Sequence, residues 1–131
     1  MRKLEAEMLA AIRHKEDWKG ANTQVSIGIV DTRYTYVRLY DHCIAEIRNP
    51  GEFMLICCQA QHTDGVVSAT TVSRLNVLLG ALADGDFSVH RHRGETLAYY
   101  NGASKVIDGD EWYKVPLKAY NKVLDTSERS A

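Results

Sequence analysis

The sequence has little of what marks several large classes of protein. Its 16 Lys and Arg face 17 Asp and Glu, a formal net charge of −1. This balance removes the simplest sign of nucleic-acid binding, a strongly basic domain, although a local basic face remains compatible with it. No apolar run approaches the roughly 18 residues that cross a bilayer, and no signal-peptide pattern opens the chain. We therefore expect a cytoplasmic protein that does not associate with membranes.

Cysteine is scarce and odd in number. Cys57 and Cys58 are neighbours in an apolar run, and adjacent residues of a strand point to opposite faces, so they do not pair with each other. With Cys43 they are predicted to be buried thiols in a reducing compartment. A nucleophilic thiol served by His62 and Asp64 is an alternative, but apolar surroundings raise a thiol pKa and favour the structural role.

The glycine-rich loop that cradles phosphates is also absent. Residues 68–76 nevertheless gather hydroxyl groups at the start of a predicted helix, with Thr70 or Thr71 as its N-cap. Arg74 lies one turn further on and could assist an anion at the helix N-terminus. Capping is the favoured interpretation, and an anion contact is the secondary one.

What is present indicates one α+β domain over residues 1–125, with a mainly antiparallel sheet and a disordered tail at 126–131. A length of 131 residues with 45% hydrophobic content suits one independent core. Three- and four-residue spacings predict helices over 2–17, from Thr70 or Thr71 to Asp84-Gly85, and from Pro116, whose buried side would hold Leu117, Tyr120 and Leu124. Period-two or apolar runs predict strands over 23–30, 34–40, 43–47, 53–58, 87–92, 96–100 and 112–115.

Turn residues divide these elements. Asp41-His42, Arg93-Gly94 and Asn101-Gly102 are predicted turns, the first two joining hairpins. Gly20 is predicted to end the first helix. The continuously apolar run 53–58 is predicted to be a central strand covered on both faces.

The clearest candidate site is a strand face that alternates aromatic and basic residues. Its members are Tyr34, Tyr36, Arg38 and Tyr40. Base–aromatic stacking contributes about 1–3 kcal/mol per base and tolerates any sequence, which suits single-stranded nucleic acid. Further phosphate contacts are predicted from Arg33, Arg48, Arg91 and Arg93. The alternative is that these tyrosines are packing residues with hydrated hydroxyl groups.

A metal site is a weaker candidate. His90 and His92 share one face of a predicted strand, and with His62 or Asp64 they would offer three ligands. Any strand with alternate histidines shows this spacing, so a solvated basic hairpin tip is favoured. We predict no metal, no cofactor and no catalytic residue.

Four stretches resemble a group of small uncharacterised proteins encoded by tailed bacteriophages. They are residues 1–5, 22–25, the hairpin 37–40 with 44–45, and 70–79. Asp41-His42 departs from the pattern, which tends to have a Gly-Asn type of turn. The resemblance covers residues 1 to about 80 and implies phage origin, and hence the host cytoplasm. A looser resemblance, in size and make-up, is to the small single-stranded-DNA-binding transcription cofactors of podovirus-type phages, and it carries no site residues.

Three functional hypotheses follow. In the first, a phage accessory protein binds single-stranded nucleic acid in transcription or replication, either as a monomer or as a homo-oligomer. In the second, a non-catalytic module binds a host or phage protein and modulates its machine. A small enzyme or metal protein is the third and least supported. The predicted nucleic-acid-binding residues are Tyr34, Tyr36, Arg38, Tyr40, Arg91 and Arg93.

Overall fold

A computed structural model of the protein describes residues 2–40, 42–48, 53–57, 69–93, 95–107 and 112–117. Within these ranges the chain forms two helices and nine strands, which confirms the α+β class. In chain order they are α1 Lys3–His14, β1 Trp18–Gly20, β2 Thr23–Ile27, β3 Tyr34–Leu39, β4 His42–Arg48, β5 Phe53–Cys57, α2 Ala69–Leu82, β6 Phe87–His92, β7 Glu95–Tyr100, β8 Ala103–Val106 and β9 Trp112–Pro116.

The strands form two antiparallel sheets. One has six strands in the order β1-β2-β3-β4-β5-β9, and the other has three in the order β6-β7-β8. Helix α2 contacts both sheets, through β4 and β6, and α1 packs beside it over β1 and β2. One face of the larger sheet is buried against the helices, through residues such as Val25, Val37 and Met54. Its other face points away from them and defines the surface discussed below.

Helix α1 ends earlier than predicted. Lys15 adopts a left-handed conformation with φ 53°, and Glu16 N donates to Ala11 O at 3.0 Å. These features close the helix at His14, so the predicted end at Asp17 is wrong. Gly20 lies in β1 and has no part in ending the helix.

Helix α2 begins earlier than predicted. Its first residue is Ala69, so Thr70 and Thr71 lie inside the first turn and neither is the N-cap. Thr71 is fully buried. The helix ends at Leu82, and Gly85 follows with φ 112°, where an L-residue is strained. The predicted end at Asp84-Gly85 is thus confirmed.

Strand β2 stops at Ile27 instead of reaching Val30. The chain then forms a loop that Gly28 closes, since Gly28 N donates to Tyr34 O at 2.8 Å. A Cβ atom on Gly28 would collide with the Asp31 carbonyl oxygen, so only glycine fits there. Ile29, which lies within the predicted strand 23–30, belongs to this loop and is 96% exposed.

The β3–β4 turn lies one residue before its predicted place. His42 already pairs with Leu39, so it belongs to β4. Tyr40 has φ 50°, which takes it out of the extended strand and into the turn. The prediction that Tyr40 continues the strand is therefore wrong.

No helix begins at Pro116. This residue pairs with Phe53 at the end of β9, and Leu117 forms an isolated bridge to Ala83. Strand β9 is at the edge of its sheet, where a proline is tolerated because no neighbour requires its missing N–H. The predicted helix residues Tyr120 and Leu124 and the predicted tail lie outside the described residues.

The three-stranded sheet was predicted in part. His92 pairs with Glu95, which confirms the predicted hairpin, while Gly94 lies outside the described residues. The turn at Asn101-Gly102 is also confirmed, with φ of 48° and 90°. It leads into β8, which was not predicted because all four of its residues are exposed and show no apolar alternation.

Candidate nucleic-acid interface

The open side of the six-stranded sheet, here called the outer face, presents polar and aromatic side chains. Strand alternation explains this composition, since Thr35, Val37 and Leu39 are buried while the residues between them are partly exposed. The strand residues of the outer face include Lys19, Gln24, Ser26, Tyr34, Tyr36, Arg38, Cys43, Glu46, Arg48, Phe53, Leu55, Trp112 and Lys114.

The strand register brings residues of the outer face together that are distant in sequence. Tyr36 stands opposite Ser26 on one side and Glu46 on the other. Leu55 continues this row from Glu46 to Lys114. Phe53 and Leu55 are half-exposed members of the face, so the prediction that β5 is covered on both faces is wrong. Cys58 lies outside the described residues.

Cations and aromatic rings alternate across the outer face. The rings of Tyr34 and Tyr36 are nearly parallel, with centroids 6.2 Å apart and 13° between their planes. The Arg38 guanidinium lies 5.5 Å from the Tyr36 ring centroid, and Arg48 lies 5.9 Å from that of Tyr34. Tyr34, Tyr36 and Arg38, which the sequence placed on one strand face, therefore lie together in the structure, beside Arg48.

The series continues into the next strands. Arg48 is also 5.9 Å from the Phe53 ring centroid, and Lys114 Nζ is 4.7 Å from the same centroid. We call this set the cation–aromatic series, and it comprises Arg38, Tyr36, Tyr34, Arg48, Phe53 and Lys114. Phe53 and Lys114 were missed, because the run 53–58 was interpreted as wholly buried. The alternation of Trp112 and Lys114 with buried Val115 was the one signal that could have placed Lys114 on a solvent face.

The electrostatics of the outer face differ from those of the whole chain. Its described strand residues include the cations Lys19, Arg38, Arg48 and Lys114 against the single carboxylate of Glu46. Burial, with Glu46 as a further cause, raises the pKa of Tyr36, so its phenol stays neutral and keeps its donor proton. A near-neutral protein therefore carries one locally positive, aromatic surface.

A groove of about 500 Å³ opens at one end of the outer face. The loop 28–31 forms one wall, and Tyr34, Tyr36 and Arg38 form the other side. Arg38 Nη1 donates to Ser26 Oγ at 3.0 Å, which fixes the guanidinium at the groove. The groove is thus lined by aromatic rings, a cation and a hydroxyl group.

Tyr40 lies at the opposite end of the outer face, in the turn. Its hydroxyl accepts a hydrogen bond from Asn22 Nδ2 at 3.1 Å, and 53% of the residue is exposed. With Lys19 and Gln24 it lines a second hollow of about 310 Å³. Tyr40 therefore borders the predicted surface without being part of its strand face.

Arg91 and Arg93 belong to the other sheet. Arg91 is exposed on β6 opposite Thr96, and Arg93 occupies the β6–β7 turn with φ 51°. The structure thus separates the predicted residues into two groups, one on each sheet. Arg33, a further predicted phosphate contact, lies in the loop 28–34 and holds Asp31 in a two-bond salt bridge.

Arg74, which was predicted to assist an anion at the helix N-terminus, is buried in the core. Its Nη1 lies 3.0 Å from Glu5 Oε2, and its Nε donates to Thr23 Oγ1 at 3.1 Å. Ser73 Oγ donates to the same Glu5 oxygen at 3.0 Å. We call these four residues the buried cluster. An anion from solvent does not reach a guanidinium whose side chain is only 5% exposed.

Glu5, an acidic residue in the first turn of α1, is buried. Burial by itself would raise the pKa of its carboxyl group. Hydrogen bonds from Arg2 N and Ser73 Oγ, with the charge of Arg74, outweigh burial and hold that pKa below its ordinary value. Glu5 is therefore the charged partner of Arg74, over a separation of 69 residues.

The histidine candidates do not assemble into a metal site within the described residues, which hold no group of three His, Cys, Asp or Glu side chains suited to a metal ion. His90 Nε2 lies 2.9 Å from Ser88 Oγ, and its ring packs edge-on against Tyr99 at 5.0 Å. His62 and Asp64 lie outside the described residues.

The thiols of the described residues lie in the sheet. Cys57 is fully buried. Cys43 Sγ donates to Ala45 O at 3.4 Å, and burial raises the pKa of its thiol. A raised pKa lowers the fraction of reactive thiolate, which agrees with the structural role predicted for these cysteines.

The fold and the outer face define a small α+β protein whose open sheet surface carries alternating cations and aromatic rings. The chain belongs to the Kyanoviridae Gp96 protein family, whose model matches residues 1–119. Phage origin, as the resemblance implied, is thereby confirmed, and no finding supports the looser resemblance to single-stranded-DNA-binding cofactors. Neither a curated protein nor a solved structure matches the chain. Among the described residues, no helix has the length and apolar character to cross a bilayer.

Proposed function

We propose that this phage protein binds single-stranded nucleic acid on its outer face and acts in the host cytoplasm as an accessory factor in transcription or replication. The observation that supports the proposal is the cation–aromatic series, which spans strands β3, β4, β5 and β9. Proteins that bind single strands combine rings on which bases stack with cations that follow the backbone.

The geometry also suggests how a base would be held. Each ring of the series already has a cation near its face, so an incoming base either displaces that cation or stacks on a guanidinium plane. Arginine serves both purposes, because its planar guanidinium stacks on bases and pairs with phosphate. Arg38 and Arg48 are therefore the residues on which binding should depend most.

The direct test is fluorescence anisotropy with a labelled 20-nucleotide single strand at low and high salt. We expect binding that Tyr36→Ala or Arg38→Ala weakens at least about tenfold, since each removes a stacking or charged contact. Tyr99→Ala, on the smaller sheet, and Lys3→Ala, on α1, are the matched aromatic and charge controls. Absence of binding at low salt would reject the activity, and binding unchanged by both outer-face substitutions would reject this face.

The salt dependence separates the two groups of predicted residues. Contacts from the three cations of the series alone would give a slope of log K against log salt of about −2 for a single strand. If Arg91 and Arg93 also contact the phosphate backbone of the nucleic acid, the slope becomes steeper by about 1.4. The double substitution Arg91→Ala/Arg93→Ala then returns the slope to about −2. An unchanged slope in that variant would exclude the β6–β7 hairpin from the interface.

A second candidate function is a protein-interaction module. The observation that favours it is the loop tip at Ile29 and Val30, where the two aliphatic residues are 96% and 101% exposed. Adjacent, fully exposed aliphatic side chains mark interaction sites more often than ordinary surface. A host or phage protein that co-purifies with the wild type and not with Ile29→Ser/Val30→Ser would support this function. If the partner is instead a second copy of the chain, sedimentation velocity would show a dimer.

A further inference from the structure

The groove at the end of the outer face is a built site with four kinds of surface. Tyr34 and Tyr36 supply ring edges and faces, and the loop tip at Ile29 and Val30 supplies an apolar wall. Arg38 supplies donors. The fourth element is a carboxylate acceptor, Asp31, which lies on the loop side of the same groove.

The acceptor is fixed in place. Asp31 Oδ1 accepts from Arg33 N and Nε, both at 3.0 Å, and within the described part of the chain Oδ2 accepts from Arg33 Nη2 alone, at 2.9 Å. These bonds hold the pKa of Asp31 at about 2, so the carboxylate is charged under physiological conditions. A carboxylate oxygen accommodates two hydrogen bonds, so Oδ2 retains one position for a ligand.

The donor is fixed as well. One N–H of Arg38 is used by Ser26 Oγ at 3.0 Å. A guanidinium carries five N–H donors in all, and two of them can pair with two neighbouring acceptors as a fork. The groove therefore offers paired donors, one acceptor and flat or aliphatic packing surfaces, which together complement an unpaired nucleobase.

Among the bases, guanine matches this arrangement best. Its O6 and N7 atoms are adjacent acceptors, the commonest specific partners of an arginine fork. Its amino group supplies a donor for Asp31 Oδ2, and its double ring gives the largest stacking area to the tyrosines. Adenine presents an amino group where guanine has O6, so it would oppose donor to donor at Arg38. Thymine has no amino group for Asp31. Cytosine has adjacent acceptors and an amino group, but its single ring offers the tyrosines less stacking area than the double ring of guanine.

We propose that the groove bounded by Ile29, Val30, Asp31, Tyr34, Tyr36 and Arg38 binds one guanine base of a single strand and prefers it to the other three. The proposal rests on the proposed function of the outer face, of which the groove would be the base-specific part.

The test uses four labelled nine-nucleotide strands that differ only in the central position of a thymine background, bound to the full-length protein in anisotropy titrations. We expect the strand with guanine to bind at least about fivefold more tightly than the other three, the lower limit for one arginine fork. Arg38→Lys keeps the charge and removes the fork, so it should abolish this preference. Arg48→Lys, outside the groove, should weaken all four strands alike and leave the preference intact.

The apolar wall is tested by Ile29→Ser/Val30→Ser, which should reduce the guanine preference, with Val106→Ser on β8 as the control for an exposed aliphatic residue. Equal binding of the four strands, or a preference for adenine, cytosine or thymine, would overturn the guanine proposal and leave the nucleic-acid function standing. A preference that survives Arg38→Lys would also overturn it. Failure of all four strands to bind would instead reject the proposed function itself.

Discussion

Two arginine-centred regions of this protein use the same side chain in opposite ways. In the buried cluster, Arg74 is closed in by Glu5, Thr23 and Ser73, and its ion pair has side chains that are 5% exposed on both sides. On the outer face, Arg38 lies over a half-exposed ring and has one fixed hydrogen-bond partner, Ser26. A guanidinium whose hydrogen-bond partners are fixed and buried stabilises the fold. A guanidinium that keeps solvent contact and unused N–H donors remains available to a ligand.

The largest effect should come from breaking the buried cluster. Arg74→Met leaves the Glu5 carboxylate buried without its cation, and we expect a loss of about 3–5 kcal/mol in the free energy of unfolding. Urea denaturation monitored by tryptophan fluorescence measures it. The double variant Glu5→Leu/Arg74→Met should recover most of the loss, since a well-packed apolar pair often replaces a buried ion pair without penalty. A loss of less than about 1 kcal/mol in the single variant would show that Glu5 is hydrated or protonated instead.

The next effect should come from the link between α2 and the smaller sheet. Asn76 Nδ2 donates to Val89 O at 2.8 Å, and Val89 N donates to Asn76 Oδ1 at 2.7 Å. Asn76→Ala leaves both backbone groups of a fully buried residue unpaired, so we expect a loss of about 2 kcal/mol. Faster hydrogen exchange of the Val89 amide should accompany it. Ser88→Ala, which removes an exposed contact with His90 on the same strand, is the control and should cost much less.

On the outer face, the same kind of substitution should scarcely affect folding. Arg38→Ala removes one cation–π contact and one hydrogen bond at a half-exposed site, for which we expect less than about 1 kcal/mol. Together with a tenfold loss in binding, this would separate the function of Arg38 from that of Arg74. A stability loss as large as that of Arg74→Met would mean that the outer face is structural, and the packing alternative for its tyrosines would then be correct.

The smallest effect should be a pH dependence from Glu5. Its pKa is lower in the folded state than in the unfolded state. The resulting stabilisation is fully present above the unfolded pKa and is lost as the pH falls through the folded pKa. The difference in unfolding free energy between the wild type and Glu5→Gln should therefore shrink on acidification below about pH 4.5. A difference that stays constant down to the acid limit would contradict the assigned shift.

Much of the fold was predictable from local patterns, and the wrong predictions have identifiable causes. The hairpin across Arg93-Gly94 and the last strand followed from periodicity and turn residues. Strand β8 has no apolar alternation, so its only signal was the preceding turn. The prediction that a helix begins at Pro116 was wrong, because proline at a helix start and proline in an edge strand are locally equivalent.

For the candidate site, the strand alternation alone grouped Tyr34, Tyr36 and Arg38, because a period of two residues is a property of any extended backbone. Tyr40 was wrongly included in the strand face, because its own backbone is left-handed at the turn. No pattern in the sequence marks that conformation. The pairs Arg48–Phe53 and Phe53–Lys114 depend on strand order, so they were not accessible from local periodicity.

The sequence by itself determined the α+β class, the alternation of β3 and the phage resemblance, since each rests on residues close together in the chain. Only the tertiary structure decided that Glu5 is buried with Arg74, that Phe53 and Lys114 complete the cation–aromatic series, and that Arg91 and Arg93 belong to another sheet. Local spacing fixes which way a side chain points relative to its own strand or helix. What that side chain meets depends on sheet order and layer packing, which arise from contacts between distant parts of the chain.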